Sequence, residues 1–422
     1  MNTNSYISRI CDKTLQDKLR RTGAVLIVGP KWCGKTATAS MAARSTLYMQ
    51  DPDRGRSYMA AADTKPSLLL EGDTPRLIDE WQMAPVLWDA VRFAVDQRGM
   101  TGQFILTGSA VPKDNATMHT GTGRISRMAM HTMTLYESGE SNGSVSLADL
   151  FDGKPFAGGL STLNIEAISH AICRGGWPAA VTMAEDDGLK LAQDYVEAII
   201  NQDVSRIDGV ERNPTRVQLL LRSLARNIST MASNATILRD IEANEGSFSL
   251  PTLDSYMNAL RRIFVVEDLP AWTPSLRSKT AIRTSAKHHF SDPSIAAAAM
   301  RVGPKALLED FETFGLMFES LCTRDLRVYA QANDGNVFHY RDKNGLEADI
   351  IVALNDGRWA AIEVKLGAKQ TEEAAGHLKE LEAKVDTERM GAPSFLMVLT
   401  GGEIAYRRED GVYVVPIGCL KN

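Results

Sequence analysis

Gly29-Pro30-Lys31-Trp32-Cys33-Gly34-Lys35-Thr36 carries the first chemistry in the chain. Glycines at this spacing let a backbone curl until its N–H groups converge on one point, which suits phosphate oxygens. Lys35 adds a positive charge able to reach the outer phosphates, and Thr36 offers a hydroxyl to Mg2+. Ala37 continues into a helix whose N-terminal dipole strengthens the attraction for an anion. The pattern G-x-x-x-x-G-K-[ST] is complete, so ATP with Mg2+ is the expected ligand of Gly29–Ala37.

Arg76-Leu77-Ile78 then runs into two acids, Asp79 and Glu80. Asp79 is expected to hold the Mg2+ shell and Glu80 to polarise an attacking water. A second acid directly after the first favours hydrolysis over transfer to a small molecule. Thr107 and Ser109 end the next apolar run, beside the expected place of the γ-phosphate. Arg124 and Arg127 lie in a Gly-flanked segment. They read either as arginine fingers offered to a neighbouring subunit or as solvated surface arginines.

A different set lies near the C-terminus: Asp349, and Glu363-Val364-Lys365. Residues two apart on a strand share a face, so Glu363 and Lys365 point the same way. Two carboxylates can hold one Mg2+, and a lysine can orient water. Charges that keep an edge strand from aggregating are the bland alternative. Between the two sets, Arg222, Arg226, Arg239, Arg261 and Arg262 are candidates to neutralise phosphates, with Lys279, Arg283 and Lys287 on a following hairpin. No base-reading set is identifiable, and a helical packing module with solvated arginines is the competing reading.

Elements must position these groups. Ala24–Val28 reads as a buried strand entering the glycine loop, and Lys35–Arg44 as a helix. Leu77–Ile78 is a strand end, Pro85–Arg98 a helix, and Phe104–Leu106 another buried strand. Strands alternating with helices predict a parallel α/β sheet. Arg9–Arg21 reads as an amphipathic helix. Ser138–Ser161, rich in Ser, Gly and Asp, reads as a surface loop or lid connection. Ile165–Ile200 is helical apart from Gly175-Gly176-Trp177-Pro178, and serves as a helical lid. Val217–Ser229, Ala235–Ala243 and Leu250–Ile263 have helix-turn-helix spacing, and Val265–Leu269 is expected to begin a β-wing. A helix at Phe311–Tyr329, strands at Val337–Arg341, Asp349–Leu354 and Trp359–Val364, a helix at Thr371–Val385 and strands at Ser394–Thr400 and Val412–Pro416 complete the chain. Three domains are expected: 1–200, 201–306 and 307–422.

Bulk properties narrow the classes. The chain has 422 residues with a net charge of -5, so its surface as a whole is not a basic clamp. Ser205–Ala306 nevertheless holds 14 Lys+Arg against 9 Asp+Glu, a charge of +5, which leaves -10 for the rest. Five scattered cysteines with no CxxC pair suggest reduced thiols and a cytoplasmic location. The N-terminus has no apolar signal core, and no apolar run is long enough to span a membrane.

In order, GPKWCGKT, RLIDE and ILTGS resemble the AAA+ ATPases, in particular the prokaryotic clade fused to a C-terminal domain of uncharacterised function. The GGWP stretch, Phe318-Glu319 and Glu363-Val364-Lys365 also resemble that architecture, over nearly the whole chain. The resemblance implies an ATP-hydrolysing homo-oligomer. The Asp349, Glu363 and Lys365 set is similar to the PD-(D/E)XK nucleases, where a helical glutamate often joins, and Glu319 matches by position. The expected whole is an α/β P-loop domain, a winged-helix-like middle and a restriction-endonuclease-like C-terminal domain, coupling ATP turnover to DNA binding or processing. The alternative is a nucleotide-switched regulator or protein remodeller whose nuclease-like domain is a non-catalytic scaffold. Two departures stand out: the apolar run before Asp79 is short, and Cys33 sits within the loop, where oxidation is expected to block nucleotide entry.

Overall fold

The computed structural model describes residues 6–108, 121–243, 248–273, 285–385 and 390–422. The chain divides into two compact units. One comprises Met1–Thr132, Asp203–Glu211 and Asn258–Phe264, and the other Met133–Gln202, Arg212–Met257 and Val265–Asn422.

The first unit is built on a parallel sheet of β1 (Ala24–Val28), β2 (Ser45–Tyr48), β3 (Arg76–Asp79), β4 (Phe104–Gly108) and β5 (Ile125–Ala129), in the order β2-β3-β4-β1-β5. Helices α1 (Cys11–Arg21), α2 (Lys35–Ala42), α3 (Gly55–Thr64) and α4 (Val86–Arg98) accompany it. Side chains of β1 alternate between two cores. Val25 and Ile27 join Leu15 and Leu19 of α1, while Ala24 and Leu26 join Leu87, Trp88 and Val91 of α4. Burying each such leucine stabilises the unit by about 2 kcal/mol. Because the strands are parallel, their C-terminal ends share one edge. Register sets Asp79 beside Thr107, and Val28 beside both Gly108 and Ala129. Strands β2 and β5 escape the sequence pattern because they lie at the two edges and mix apolar with polar residues.

The second unit holds a mixed sheet in the order β7-β12-β13-β11-β10-β9-β8. Its elements are β6 (Val145–Ser146), β7 (Gly159–Leu160), β8 (Gly335–Arg341), β9 (Glu347–Leu354), β10 (Trp359–Lys365), β11 (Phe395–Thr400), β12 (Ile404–Arg407), β13 (Tyr413–Pro416) and β14 (Leu420–Lys421). The helix Phe311–Ala332 begins where Asp310 accepts the Thr313 N–H, a cap that satisfies an otherwise orphaned donor. Then come β8, β9 and β10, paired antiparallel, and the helix Thr371–Lys384 crosses over to β11, parallel to β10. Ile351, Trp359, Ala361, Leu378, Leu396 and Val398 form the core of this α-β-β-β-α-β run.

Ahead of it lie the helices Pro214–Arg226, Asn234–Glu242 and Leu250–Arg262, the last belonging to this unit as far as Met257. Asn213 and Ser233 cap the first two. A pair of extended arms follows, with antiparallel bridges Val266↔Phe290 and Leu269↔Lys287. The arms are fastened to the C-terminal sheet: Ala271 bridges His339 of β8, and Trp272 donates its N–H to the His339 carbonyl at 2.6 Å. Trp272 also stacks on Trp359, ring centroids 4.7 Å apart.

Ser138–Ser161 is not a plain surface loop. It contains β6, a short helix Leu147–Phe151 and β7, and its strands pair with β14 and β12. Buried Val145, Leu147, Leu150 and Phe151 anchor it, an apolar minority masked by polar composition. The Gly175-Gly176-Trp177-Pro178 break is a tight corner: a Cβ on Gly176 would lie 2.0 Å from the Met133 carbonyl. Among the described residues no helix is long and apolar enough to cross a membrane.

Candidate functional site

Strand β1 delivers its chain directly into the glycine loop at the sheet's C-terminal edge. A Cβ on Gly29 would lie 2.1 Å from the Met130 carbonyl, so only glycine fits that approach. Gly34 adopts φ 102°, a left-handed backbone that glycine accepts without strain. Lys35 is nearly buried, and its Nζ donates to the Gly29 and Pro30 carbonyls at 3.0 and 2.7 Å. The lysine therefore stays inside the curl of the loop. Trp32 stands at the loop's outer turn with φ 65° and is exposed.

Opposite the loop, one carboxylate oxygen collects two hydroxyls. Thr36 Oγ1 donates to Asp79 Oδ1 at 2.7 Å, and Thr107 Oγ1 donates to the same oxygen at 2.6 Å. The β3–β4 register puts Thr107 there, and the first turn of α2 supplies Thr36. Glu80 follows in the left-handed region at φ 55°, and its carboxylate accepts from Gln82 Nε2. A non-glycine residue held there stores on the order of 1–2 kcal/mol, which the surrounding fold must offset.

Three further residues hold the loop, and sequence reasoning missed two of them. Arg9, buried, donates from Nη1 to the Cys33 carbonyl at 2.9 Å and from Nη2 to the His131 carbonyl at 3.0 Å. Lys31 forms an ion pair with Asp203. Both partnerships span long separations in the chain, so no local pattern signals them. Cys33 corrects an expectation. Its side chain is fully buried, with Sγ directed at the Met130 carbonyl at 3.5 Å, so it is shielded from oxidants rather than facing the nucleotide.

The glycine backbone, the lysine in the curl, and a hydroxyl beside a carboxylate at the strand tip together fit a nucleoside triphosphate with Mg2+. Gly29–Ala37 would hold the phosphates, and Thr36 and Asp79 the metal. Ser109 lies outside the described residues. Arg124 and Arg127 sit at and in the edge strand β5, Arg124 paired with Asp96 of α4 at 2.8 Å and Arg127 stacked 5.9 Å above the Trp88 ring.

The second unit brings its own set together. Glu319 comes from the helix Phe311–Ala332, Asp349 from β9, and Glu363 and Lys365 from β10. Lys365 Nζ lies 2.7 Å from Glu363 and 3.4 Å from Asp349. A fifth member arrives from the extended arms. Lys287 donates from Nζ to Glu319 Oε1 at 2.7 Å and to Asp349 Oδ1 at 3.3 Å. The expectation that Lys287 would meet phosphates on a hairpin is corrected by its burial; only 4% of it is exposed.

Burial, with Asp349 adding to it, pushes the Glu319 carboxyl up to about 7 despite the Lys287 ammonium beside it. Burial and Asp349 also push Glu363 up. Burial alone would raise Asp349, but Lys287 and Lys365 outweigh it and hold that carboxyl low. Burial would equally lower Lys287, yet Glu319 and Asp349 keep it above the ordinary lysine value. Among the described residues no group of three His, Cys, Asp or Glu is arranged to hold a metal ion. As placed, this set does not fit a divalent cation.

Of the candidate phosphate contacts, Arg222 and Arg226 are exposed on the helix Pro214–Arg226, and Arg226 lies 3.8 Å from Asp240. Arg261 is exposed, while Arg262 lies 4.0 Å from Asp208. Arg239 donates to Ala235 and Thr236 of its own helix. Lys279 and Arg283 fall outside the described residues.

Fold and loop together define an α/β domain with a complete P-loop in the N-terminal part. A family model described as an AAA domain matches residues 21–138. Two models, each described as a domain of unknown function, match residues 165–306 (DUF8612) and 314–420 (DUF4143). The chain is similar to uncharacterized proteins of Mycobacterium bovis and Mycobacterium tuberculosis. Each is 23% identical over 355 residues, spanning 83% of this chain and 72% of the relative. Among solved structures it is similar to a Walker-type ATPase of Pyrococcus abyssi at 11% identity with a TM-score of 0.41, covering 70% of this chain and 96% of that one.

Proposed function

We propose that the chain is a cytoplasmic ATP hydrolase acting as a homo-oligomer, with Mg2+ as its cofactor. One observation supports the nucleotide site: Thr36 and Thr107 meet on a single oxygen of Asp79 beside the glycine loop. In this reading Gly29–Ala37 bind the triphosphate and Lys35 neutralises charge on its outer phosphates. Asp79 and Thr36 hold Mg2+, which supplies charge stabilisation when bound. Glu80 orients the attacking water, and Thr107 and Ser109 sense the terminal phosphate. Arg124 or Arg127, on an exposed edge strand, serves a neighbouring subunit.

ATP turnover by purified protein tests the reading. Glu80→Gln should retain ATP binding while hydrolysis falls about 10²–10⁴-fold, the range for a lost general base. Hydrolysis unchanged by that substitution would remove Glu80 from the mechanism.

The reading extends to DNA. Arg222 and Arg226 are exposed on the helix Pro214–Arg226 and Arg261 on the helix Leu250–Arg262, all within the basic stretch 205–306. A sequence-blind duplex contact would use them. A second reading, a nucleotide-switched regulator with a non-catalytic C-terminal scaffold, is favoured by the ammonium groups lodged among the Glu319, Asp349 and Glu363 carboxylates.

A further inference from the structure

The carboxylates Glu319, Asp349 and Glu363 have the residue types of a divalent-metal centre, but each already faces a lysine. Asp349 Oδ1 receives Lys287. Asp349 Oδ2 receives the Val364 N–H at 2.9 Å and Lys365 at 3.4 Å. Glu319 Oε1 receives Lys287, and Glu363 Oε2 receives Lys365. A Mg2+ ion demands near-octahedral oxygen ligands at about 2.1 Å, and here it would have to share the gap between Glu319 and Asp349 with an ammonium.

That ammonium is not a passing surface lysine. Lys287 is anchored through both backbone groups: Leu269 donates to its carbonyl at 2.8 Å and its own N–H donates to the Leu269 carbonyl at 3.0 Å. The facing arm is tied down through Trp272 to His339 and Trp359, and on the arm of Lys287 the Ser285 carbonyl lies 3.0 Å from His339 Nε2. Withdrawing the ammonium would leave two nearly buried carboxylates side by side.

We infer that the Lys287 ammonium is the resident cation of this cluster, a fixed substitute for a metal ion. The cluster is then an ion-pair knot fastening the extended arms to β9, β10 and the helix Phe311–Ala332. It binds no divalent metal and supports no metal-dependent cleavage of DNA. This stands independently of ATP turnover in the first unit, because the two sites share no residue.

The test uses the full chain without nucleotide, with Mn2+ as probe and the thermal unfolding midpoint as readout. Every variant is repeated with Thr36→Ala, so that metal at the phosphate loop is not counted. The wild-type midpoint should be the same with and without millimolar Mn2+. Lys287→Ala should unfold at a lower temperature and regain several degrees with Mn2+, which would take the vacated place. Lys287→Ala with Asp349→Asn should lose that gain. Lys287→Ala that folds yet ignores Mn2+ overturns the substitution claim. So does a Mn2+-dependent rise in wild type that Asp349→Asn abolishes, or plasmid nicking by wild type that Asp349→Asn abolishes. Should Lys287→Ala fail to fold, the wild-type and Asp349→Asn pair decides alone.

Discussion

Both units hold a buried lysine and an acid on a β-strand, and they use these groups in opposite ways. In the first, Lys35 turns away to the Gly29 and Pro30 carbonyls, and Asp79 takes its hydrogen bonds from the hydroxyls of Thr36 and Thr107. Neutral donors leave the carboxylate its charge, so it can still attract a cation. In the second, Lys287 and Lys365 lie directly on the carboxylates. Similar residues therefore leave the carboxylate facing hydroxyls in one place and ammonium groups in the other. What separates them is which donor faces the acid.

The contrast can be broken or sharpened by substitution. The largest effect is expected at Glu80→Gln, where the loss in turnover with ATP binding retained corresponds to about 3–5 kcal/mol of barrier. Measuring single-turnover hydrolysis beside ATP affinity separates the two. If the closed core is what the second site is for, Lys287→Ala should cost about 3–5 kcal/mol in stability, since removing one partner leaves buried charge uncompensated. Urea unfolding of that variant measures this, and a loss within experimental scatter would open the core again.

A smaller effect follows from Glu319. Its carboxyl rises from 4.5 to about 7 on folding, so the folded chain holds that proton more tightly than the unfolded one. The stabilisation is complete below about pH 4.5 and fades as pH climbs through 7, by roughly 3 kcal/mol in all. Glu319→Gln should flatten this part of the stability–pH curve. An equally steep curve in the variant would assign the slope elsewhere. Smallest of all, Arg226→Ala and Arg261→Ala should each weaken duplex DNA binding regardless of sequence. Each should lower the salt slope by about 1. Binding indifferent to salt would favour a protein partner.

How far the sequence revealed these features tracks how local they are. The glycine loop is one contiguous stretch, and β1 and β4 are compact apolar runs, so the parallel sheet could be read in outline. Asp79 and Thr107 were visible because both close apolar runs. Arg9 and Asp203 were not, because each meets the loop through a long-range contact with no periodic signature. The short β12, with only Ala405 buried among its four residues, gave no strand signal. Lys287 was visible as a charge but not as a buried one. Its partner Glu319 is 32 residues away, and only the fastening of the arms to β8 brings them together.

The most direct test of the account is ATP affinity in magnesium buffer, measured by calorimetry on the intact chain and on Lys35→Ala. The wild type should bind one ATP per chain, and Lys35→Ala should bind it at least tenfold more weakly, a loss of about 1.4 kcal/mol or more. No binding by the wild type, or equal binding by both, would contradict the assignment of the Gly29–Thr36 loop.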